Sequence, residues 1–357
     1  MARNTLARID VDAVAHNLAR VRQLAPNSRV MAVVKADAYG HRLDLCLPAL
    51  AAADMLAVAT LEEARAIRRL GSNLPVLLLE GLIHDGDLSV AADLGLELTI
   101  HHPAQVRALE QFGTAPTPRL WLKLDTGMHR LGMDAASGRQ AHRQLLALPG
   151  VHQVNLVTHF ASADAEEPTA TREQMHRFRE ATSGLTGELC MANSAAILGH
   201  PDSHADWVRA GILLYGVSPH PDRTGESLGL KPVMTLTTEL IAINEVSRGE
   251  RIGYGGRFTA PADMRIGVAG IGYGDGYPRS LADGTPVRVG DYRCPLVGRV
   301  SMDMITLDVS AAPGVKIGDR VVLWGPGLPV EHIARYADTI AYELVCRITR
   351  RVRYRAF

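Results

Sequence analysis

The chain has 357 residues, is 47% hydrophobic and 21% charged, and carries a formal net charge of zero. Such a length buries a sizeable core and predicts two domains, while the balanced charge argues against a nucleic-acid surface or a polybasic membrane patch. Cys46, Cys190, Cys294 and Cys346 have no CxxC spacing, so no metal site and no disulfide framework is expected, and no apolar run reaches transmembrane length. The start, MARNTLARIDVDAV, lacks a signal-peptide core, so a bacterial-style cytoplasm with reduced thiols is the expected compartment.

Val11, Val14, Leu18 and Val21 fall at helical spacing between Asp10 and Leu24, and Pro26 stops that helix. VMAVV (Val30 to Val34) then reads as a strand buried on both faces. A helix-like segment is predicted from Leu43 to Ala53, and a strand from Met55 to Ala59. Thr60 and Glu63 form a capping box before LEEARAIRRL, which Gly71 closes. Strands follow at Pro75–Leu79, Leu96–Ile100, Arg119–Asp125, Asn155–Phe160, Glu188–Ala192 and Trp207–Gly216. Helices are expected between them at Leu88–Leu94, Pro103–Phe112, Arg139–Leu148 and Thr169–Thr182, with a short one after Ala192. About eight short apolar strands alternating with helices predict a (β/α)8 TIM-type barrel. A doubly wound sheet is the alternative, but no glycine-rich dinucleotide turn follows the first strand.

After about Lys231 the helical period fades. MTLTTELIAI, RIGVAGIGYG, TPVRVG, RCPLVGRVSMDMITLDV and RVVLWG alternate as short strands punctuated by Gly and Pro. A mostly-β C-terminal domain is therefore expected over residues 231–357, after a barrel over residues 1–230. The basic stretch from Arg347 to Arg355 reads as an edge strand before it reads as a binding arm.

In a barrel of this type chemistry belongs at the carboxyl ends of the strands. There the sequence places Lys35, Glu80, Asp125, His159, Asn193 with Ser194, and Arg209. Lys35, in VVKADAYGH, ends a buried strand in an amine. Held in a partly dry pocket, a lysine can form a Schiff base; the alternative is a lysine snorkelling at a strand edge. Tyr39 reads as a phosphate ligand or as a ring packed over the loop, and Gly40 serves the turn. Lys123, two residues before Asp125 in the same predicted strand, would point the same way, as a salt-bridged strand end followed by a surface Arg130. His159 has no second ligand at metal spacing and reads as a hydrogen-bonded histidine. Asn193 and Ser194 open a helix, where Ser194 caps it or meets an anion. Arg209 precedes Gly211 and Ile212, whose amides could cradle a phosphate; otherwise it pairs with Asp206 or Glu188. In the β region Tyr254 lies among glycines, IGYGDGYPRS holds Tyr273, and GRVSMDM holds Met302 and Asp303. Each of these tyrosines is a packed turn residue or an acid–base group.

VVKADAYGH, KLDTGMHRLG, THFA, ANSA, RAGILLYG, IGYGGRF, GYGDGYPR, GRVSMDM and YELVCRI occur in one order over about residues 30 to 350. In that order they resemble the alanine racemases, pyridoxal-phosphate enzymes of the barrel fold type. The resemblance implies that Lys35 holds pyridoxal 5'-phosphate covalently and then serves as the base on one face of the substrate. Tyr254 would serve the other face from the partner subunit of a homodimer. Arg209 would bond the pyridine nitrogen and keep it unprotonated, which should suppress transamination, with His159 orienting it. Tyr39, Asn193 with Ser194, Gly211, Ile212 and Tyr342 would hold the phosphate end of the cofactor. Arg130, Met302, Tyr273 and Asp303 would serve the substrate side, and Lys123 matches a lysine carbamylated in many relatives, where it orients the arginine. The implied role is interconversion of L- and D-alanine, either to supply D-alanine as a peptidoglycan precursor or to catabolise it. One departure stands out: relatives often read GHG where this chain has Gly40-His41-Arg42. Arg42 would alter the local turn or add charge near the phosphate.

Two rivals share some of these residues. A cofactor-free Schiff-base barrel such as an aldolase explains Lys35 but gives Tyr254 no role. A non-enzymatic cofactor carrier explains Lys35 and the phosphate residues but has no need of the second domain. A pyridoxal-phosphate decarboxylase is a closer rival, and its partner-subunit cysteine motif is missing from this sequence.

Overall fold

The computed structural model describes residues 4–82, 84, 86–113 and 119–357. Eight parallel strands close a barrel: β2 (Arg29–Val33), β3 (Met55–Val58), β4 (Val76–Leu78), β5 (Leu96–Ile100), β6 (Arg119–Lys123), β7 (Gln153–Val157), β8 (Leu189–Cys190) and β9 (Trp207–Ala210). Closure is made by β2 against β9, with Met31 opposite Arg209. The apolar runs behave as parallel strands covered by helices must: Val30, Met31 and Ala32, like Met55 to Val58, have no solvent exposure.

The helices follow their end signals. Val11–Leu24 and Leu61–Arg69 form, and the latter carries the Thr60–Glu63 capping box. Pro103–Phe112 ends at Gly113 in the left-handed region, and Thr169–Thr182 forms over its predicted span. Four expectations shift. Leu43–Cys46 gives way to a 3-10 turn, Leu47–Leu50, because Pro48 cannot continue an α-helix. β6 stops at Lys123, so Asp125 lies in the following turn. β9 stops at Ala210, and Ile212–Tyr215 forms a 3-10 turn. The helix expected from Arg139 starts earlier, at Ala135, because Asp134 accepts from the amides of Ala136 and Ser137.

The C-terminal sheet has eight strands. They are β1 (Leu6–Ile9), β10 (Met234–Val246), β13 (Met264–Ala269), β14 (Pro286–Val289), β15 (Tyr292–Pro295), β16 (Ile305–Asp308), β17 (Arg320–Trp324) and β18 (Arg353–Ala356). A separate hairpin joins β11 (Arg251–Ile252) to β12 (Phe258–Thr259). β1, too short to stand out in the sequence, pairs antiparallel with β10 and parallel with β18. The basic tail thus supplies an edge strand. Two short helices, Val330–Tyr336 and Ala341–Cys346, interrupt the β texture. Contacts divide the chain into two compact units: Leu18–Ala38 with Cys46–Leu214, and Met1–Asn17 with Tyr39–Leu45 and Tyr215–Phe357. Among the described residues no helix is long and apolar enough to cross a membrane.

Candidate active site

The chain leaves β2 through a left-handed turn. Ala36, Asp37, Ala38 and Tyr39 have φ of 54°, 54°, 57° and 52°, followed by Gly40 at 76°. For L-residues this conformation costs on the order of 1–2 kcal/mol per residue, so local bonds must hold it. Glu63 Oε1 accepts from Ala36 N at 2.7 Å, and Val34 O accepts from Ala38 N at 2.9 Å. Glu63 Oε2 meanwhile accepts from Ala59 N at 2.8 Å and from Thr60 N at 3.2 Å. One carboxylate therefore caps a helix and pins the segment beside Lys35. At Gly40 a Cβ would lie 2.1 Å from Val345 O, so only glycine fits. Arg42 also has positive φ, 70°, which accounts for glycine suiting this position elsewhere; its guanidinium pairs with Asp44 at 3.2 Å.

The barrel mouth gathers cations. Arg209, 5% exposed, ends β9. Its Nη2 donates to Thr158 O at 2.8 Å and Met191 O at 3.2 Å, and lies 3.1 Å from His159 Nδ1. Its Nη1 donates to Cys190 Sγ at 3.0 Å and Cys190 O at 3.3 Å. Neither Asp206 nor Glu188 pairs with it: Asp206 accepts from Leu189 N, and Glu188 holds Arg29 and Trp207. Among the described residues nothing accepts from Arg209 Nε, which leaves one N–H of a rigidly held guanidinium for a ligand. Arginine only donates, so His159 accepts at Nδ1 and its neutral ring carries its proton on Nε2. Burial, then the neighbouring Arg209, Lys123, Arg130 and Lys35, holds His159 well below the usual histidine range.

Lys123 is the last residue of β6. Burial, then the charges of Arg209, Arg130 and Lys35, lowers its pKa to about 8. The salt bridge expected with Asp125 does not form. Asp125 Oδ1 instead accepts from Gly127, Met128 and His129 amides at 3.0, 3.1 and 3.1 Å, and Oδ2 meets His129 Nδ1 at 3.1 Å. Three amides and the His129 ring thus occupy both Asp125 oxygens within its own turn. Arg130 is exposed. Asn193 caps Ser194–Gly199 by accepting from Ala196 N at 3.0 Å, so Ser194 is not the cap. The Ser194 hydroxyl instead accepts from Gly211 N at 2.9 Å and keeps its own hydrogen to donate. Glu80 contributes its carbonyl, to His101 Nε2 at 3.0 Å.

Below this ring, alternate inward residues of the same strands form a second polar layer. Trp121 Nε1 donates to Glu97 Oε2 at 2.6 Å and Arg119 pairs with Glu97 at 2.6 Å. Trp207 Nε1 donates to Glu188 at 2.7 Å, and Arg29 both pairs with Glu188 and lies 4.3 Å over the Trp207 ring. The two indoles meet edge to face at 5.7 Å. Burial raises the Glu97 pKa against the bonds from Trp121 and Arg119.

In the other unit, Tyr39 stacks on Tyr215 at 5.2 Å and lies 6.2 Å from the Tyr342 ring, while His41 stacks on Tyr215 at 4.7 Å. Burial raises the Tyr39 phenol far above its ordinary value, so it stays a donor. Tyr254 is 66% exposed, on a turn where Gly253, Gly255 and Gly256 have positive φ. Met302 is 51% exposed and its carbonyl accepts from Gly274 N at 2.9 Å. Arg279 lies 5.6 Å over Tyr273, and Asp303 pairs with Arg351 at 2.5 Å. The sequence reading missed Glu63, Cys190, Tyr215 and the carbonyls of Thr158 and Met191. Glu63 alone carried a signal, the capping box, and its second task did not.

A closed parallel barrel with lysine, histidine and arginine gathered at the carboxyl ends of its strands, followed by a mostly-β domain, defines a barrel-type enzyme. Its two parts match two family models, the alanine racemase N-terminal domain over residues 9–219 and the alanine racemase C-terminal domain over residues 233–356. The chain belongs to the alanine racemase family. It is 51% identical over 349 residues to an alanine racemase of Nitrosococcus oceani, covering 97% of each chain. Among solved structures it is similar to the biosynthetic alanine racemase of Pseudomonas aeruginosa, at TM-score 0.96 and 43% identity over 99% of both chains. It is also similar to a Bartonella henselae alanine racemase with covalently bound pyridoxal phosphate, at TM-score 0.90 and 27% identity over 99% of both chains.

Proposed function

We propose that the protein is a pyridoxal-phosphate-dependent racemase interconverting L- and D-alanine as a homodimer in the cytoplasm, supplying D-alanine for peptidoglycan. The observation that carries this reading is the uncompensated charge of the barrel mouth. Lys35, Lys123, Arg130 and Arg209 surround a neutral His159, and Asp125 spends its oxygens on its own loop. Such a mouth suits a ligand bearing phosphate and carboxylate groups. The residues of the barrel unit fit the cofactor: Arg209 Nε would donate to its ring nitrogen, the Ser194 hydroxyl and the Ile212 amide to its phosphate, and Lys35 would bind it covalently; the family resemblance would add the hydroxyls of Tyr39 and Tyr342. Gly211 acts through Ser194, which already takes its amide hydrogen. When bound, pyridoxal phosphate withdraws electrons from the amino acid and makes its α-hydrogen acidic.

The chain's own groups then handle the proton. Lys35 Nζ takes it from one face of the α-carbon and the Tyr254 hydroxyl of the partner subunit returns one to the other face, which inverts the centre; the roles exchange for the reverse reaction. Tyr254 is fitted to be lent across an interface because it stands on a glycine turn away from its own core. Arg130 and the Met302 backbone of the partner would hold the substrate carboxylate, with Tyr273 beside them; Asp303 would act through Arg351, its ion-pair partner. His159, bonded to Arg209, would fix that guanidinium. Lys123, with its pKa near 8, has a neutral amine available to add carbon dioxide with loss of a proton, and the resulting carbamate would pair with Arg130. The residues through 230 and from 231 onward would then divide the work as cofactor barrel and interface domain.

Mixing Lys35→Ala with Tyr254→Phe subunits tests the shared site. Each variant alone is inactive, and a mixed dimer regains one intact site, so activity should reappear on mixing. If both groups serve within one chain, every site in the mixture keeps a defect and no activity returns.

A further inference from the structure

The basic tail joins the C-terminal sheet, yet the reaction above makes no use of it. Along the strand order β15-β14-β17-β10-β1-β18, the register sets Arg293 opposite Arg288, Arg288 opposite Val322 and Val322 opposite Thr237. Thr237 lies opposite Leu6, and Leu6 opposite Arg353. Side chains alternate between faces, so these residues and those two positions away share one face. That face carries Arg8, Arg288, Arg293, Arg320, Arg353 and Arg355. Two pairs of like charge stand directly opposite, Arg288 with Arg293 and Arg8 with Arg355, an arrangement that destabilises a sheet unless something compensates.

Compensation is partial: Glu239 stands directly opposite Arg320 in the register, and among the described residues no carboxylate lies within ion-pair distance of Arg8, Arg288, Arg293, Arg320 or Arg355. Glu239, on the same face, accepts from Asn4 Nδ2 at 2.8 Å. Arg288 Nε is buried with no hydrogen-bond partner. Burial, then repulsion from Arg8 and Arg288, lowers the pKa of Arg320. The Arg8 guanidinium is held 4.1 Å over the Phe357 ring. An open groove runs over this face, lined by Leu6, Arg8, Thr237, Arg320, Arg353 and Phe357 among others.

We propose that this arginine face binds an oligophosphate chain, free or carried on a nucleotide. The cations lie on both sides of β10, Arg293, Arg288 and Arg320 on one side and Arg8, Arg353 and Arg355 on the other, with strands about 4.8 Å apart, a spread that suits a linear ligand with several charges rather than a single small anion. Guanidinium forks match phosphate oxygens in pairs. The site shares no residue with the barrel mouth and does not rest on the racemase reading.

The test is calorimetric titration of the cofactor-loaded protein with tripolyphosphate and, separately, adenosine triphosphate. Loading keeps phosphate out of the barrel. Both probes should bind, more weakly as salt rises. The double variant Arg8→Gln/Arg320→Gln should weaken both about tenfold or more, given what charge-assisted bonds contribute. Arg288→Gln, across the sheet from Arg8, should act in the same direction. Relief of like-charge crowding predicts that the ligand-free variants melt no lower than wild type at low salt, so lost binding is not lost folding. Absence of tripolyphosphate binding, binding of adenosine triphosphate alone, or binding indifferent to these variants would overturn the proposal.

Discussion

Two layers of the same barrel interior treat charge in opposite ways. In the lower layer Glu97 meets Arg119 and Trp121, and Glu188 meets Arg29 and Trp207. Each carboxylate there has a cation and an indole N–H. In the upper layer Lys35, Lys123, Arg130 and Arg209 repel one another, and His159 is kept neutral. A buried charge without its partner is expensive, so the lower layer is built to be stable and the upper one to receive something. The contrast separates structural from chemical polar groups inside one set of eight strands.

The widest gap between the layers should appear at Lys35. Lys35→Ala should lower racemisation roughly 10⁴-fold or more, the upper range for a positioned acid–base group, and remove the visible absorbance of lysine-bound pyridoxal. Tyr254→Phe should cost roughly 10²–10⁴-fold in kcat and leave the melting temperature nearly unchanged, since it keeps the ring and removes only a hydroxyl that stands outside its own chain's core. The lower layer should answer in reverse. Glu97→Ala leaves the buried Trp121 N–H without its acceptor and removes one partner of Arg119, so urea unfolding should show a loss of about 1–3 kcal/mol with activity per folded molecule nearly intact. A variant there that keeps its stability and loses turnover would dissolve the distinction.

Lys123 offers a pH-dependent version. Its folded pKa of about 8 lies below the ordinary lysine value of 10.5. Between those values the unfolded chain binds the proton that the folded chain has released, so stability rises with pH across the window. Below pH 8 the amine is charged in both states and the penalty is fully present. In carbon dioxide-free buffer this rise should amount to about 3 kcal/mol, and bicarbonate should flatten it by carbamylating the amine. The smallest effect is expected at the scaffold: Thr60→Ala should cost about 1 kcal/mol through its lost cap, with kcat unchanged.

Much of the barrel was legible because apolar runs and end signals are local. Thr169–Thr182 and Pro103–Phe112 could be read to the residue. What escaped was non-local or without a side-chain signature. LARI became a strand only by pairing with β10 and β18, more than two hundred residues away. The short helices at Val330–Tyr336 and Ala341–Cys346 span too few turns to establish a period. In the candidate site the residue types were readable at the strand ends. The carbonyls of Thr158 and Met191 that fix Arg209 were not, because every residue has one. Asp125 misled by its neighbourhood to Lys123, when its geometry belongs to the turn.

The turn after Lys35 has a consequence of handedness. Residues 36–39 adopt the mirror image of ordinary helical backbone, with Ala38 fully buried. Branched L-side chains would be refused there by chirality, whatever room the cavity offered. A chemically synthesised chain with D-alanine at positions 36 and 38 would sit in its preferred basin. The backbone that leads away from Lys35 thus suits the opposite enantiomer of its own building blocks.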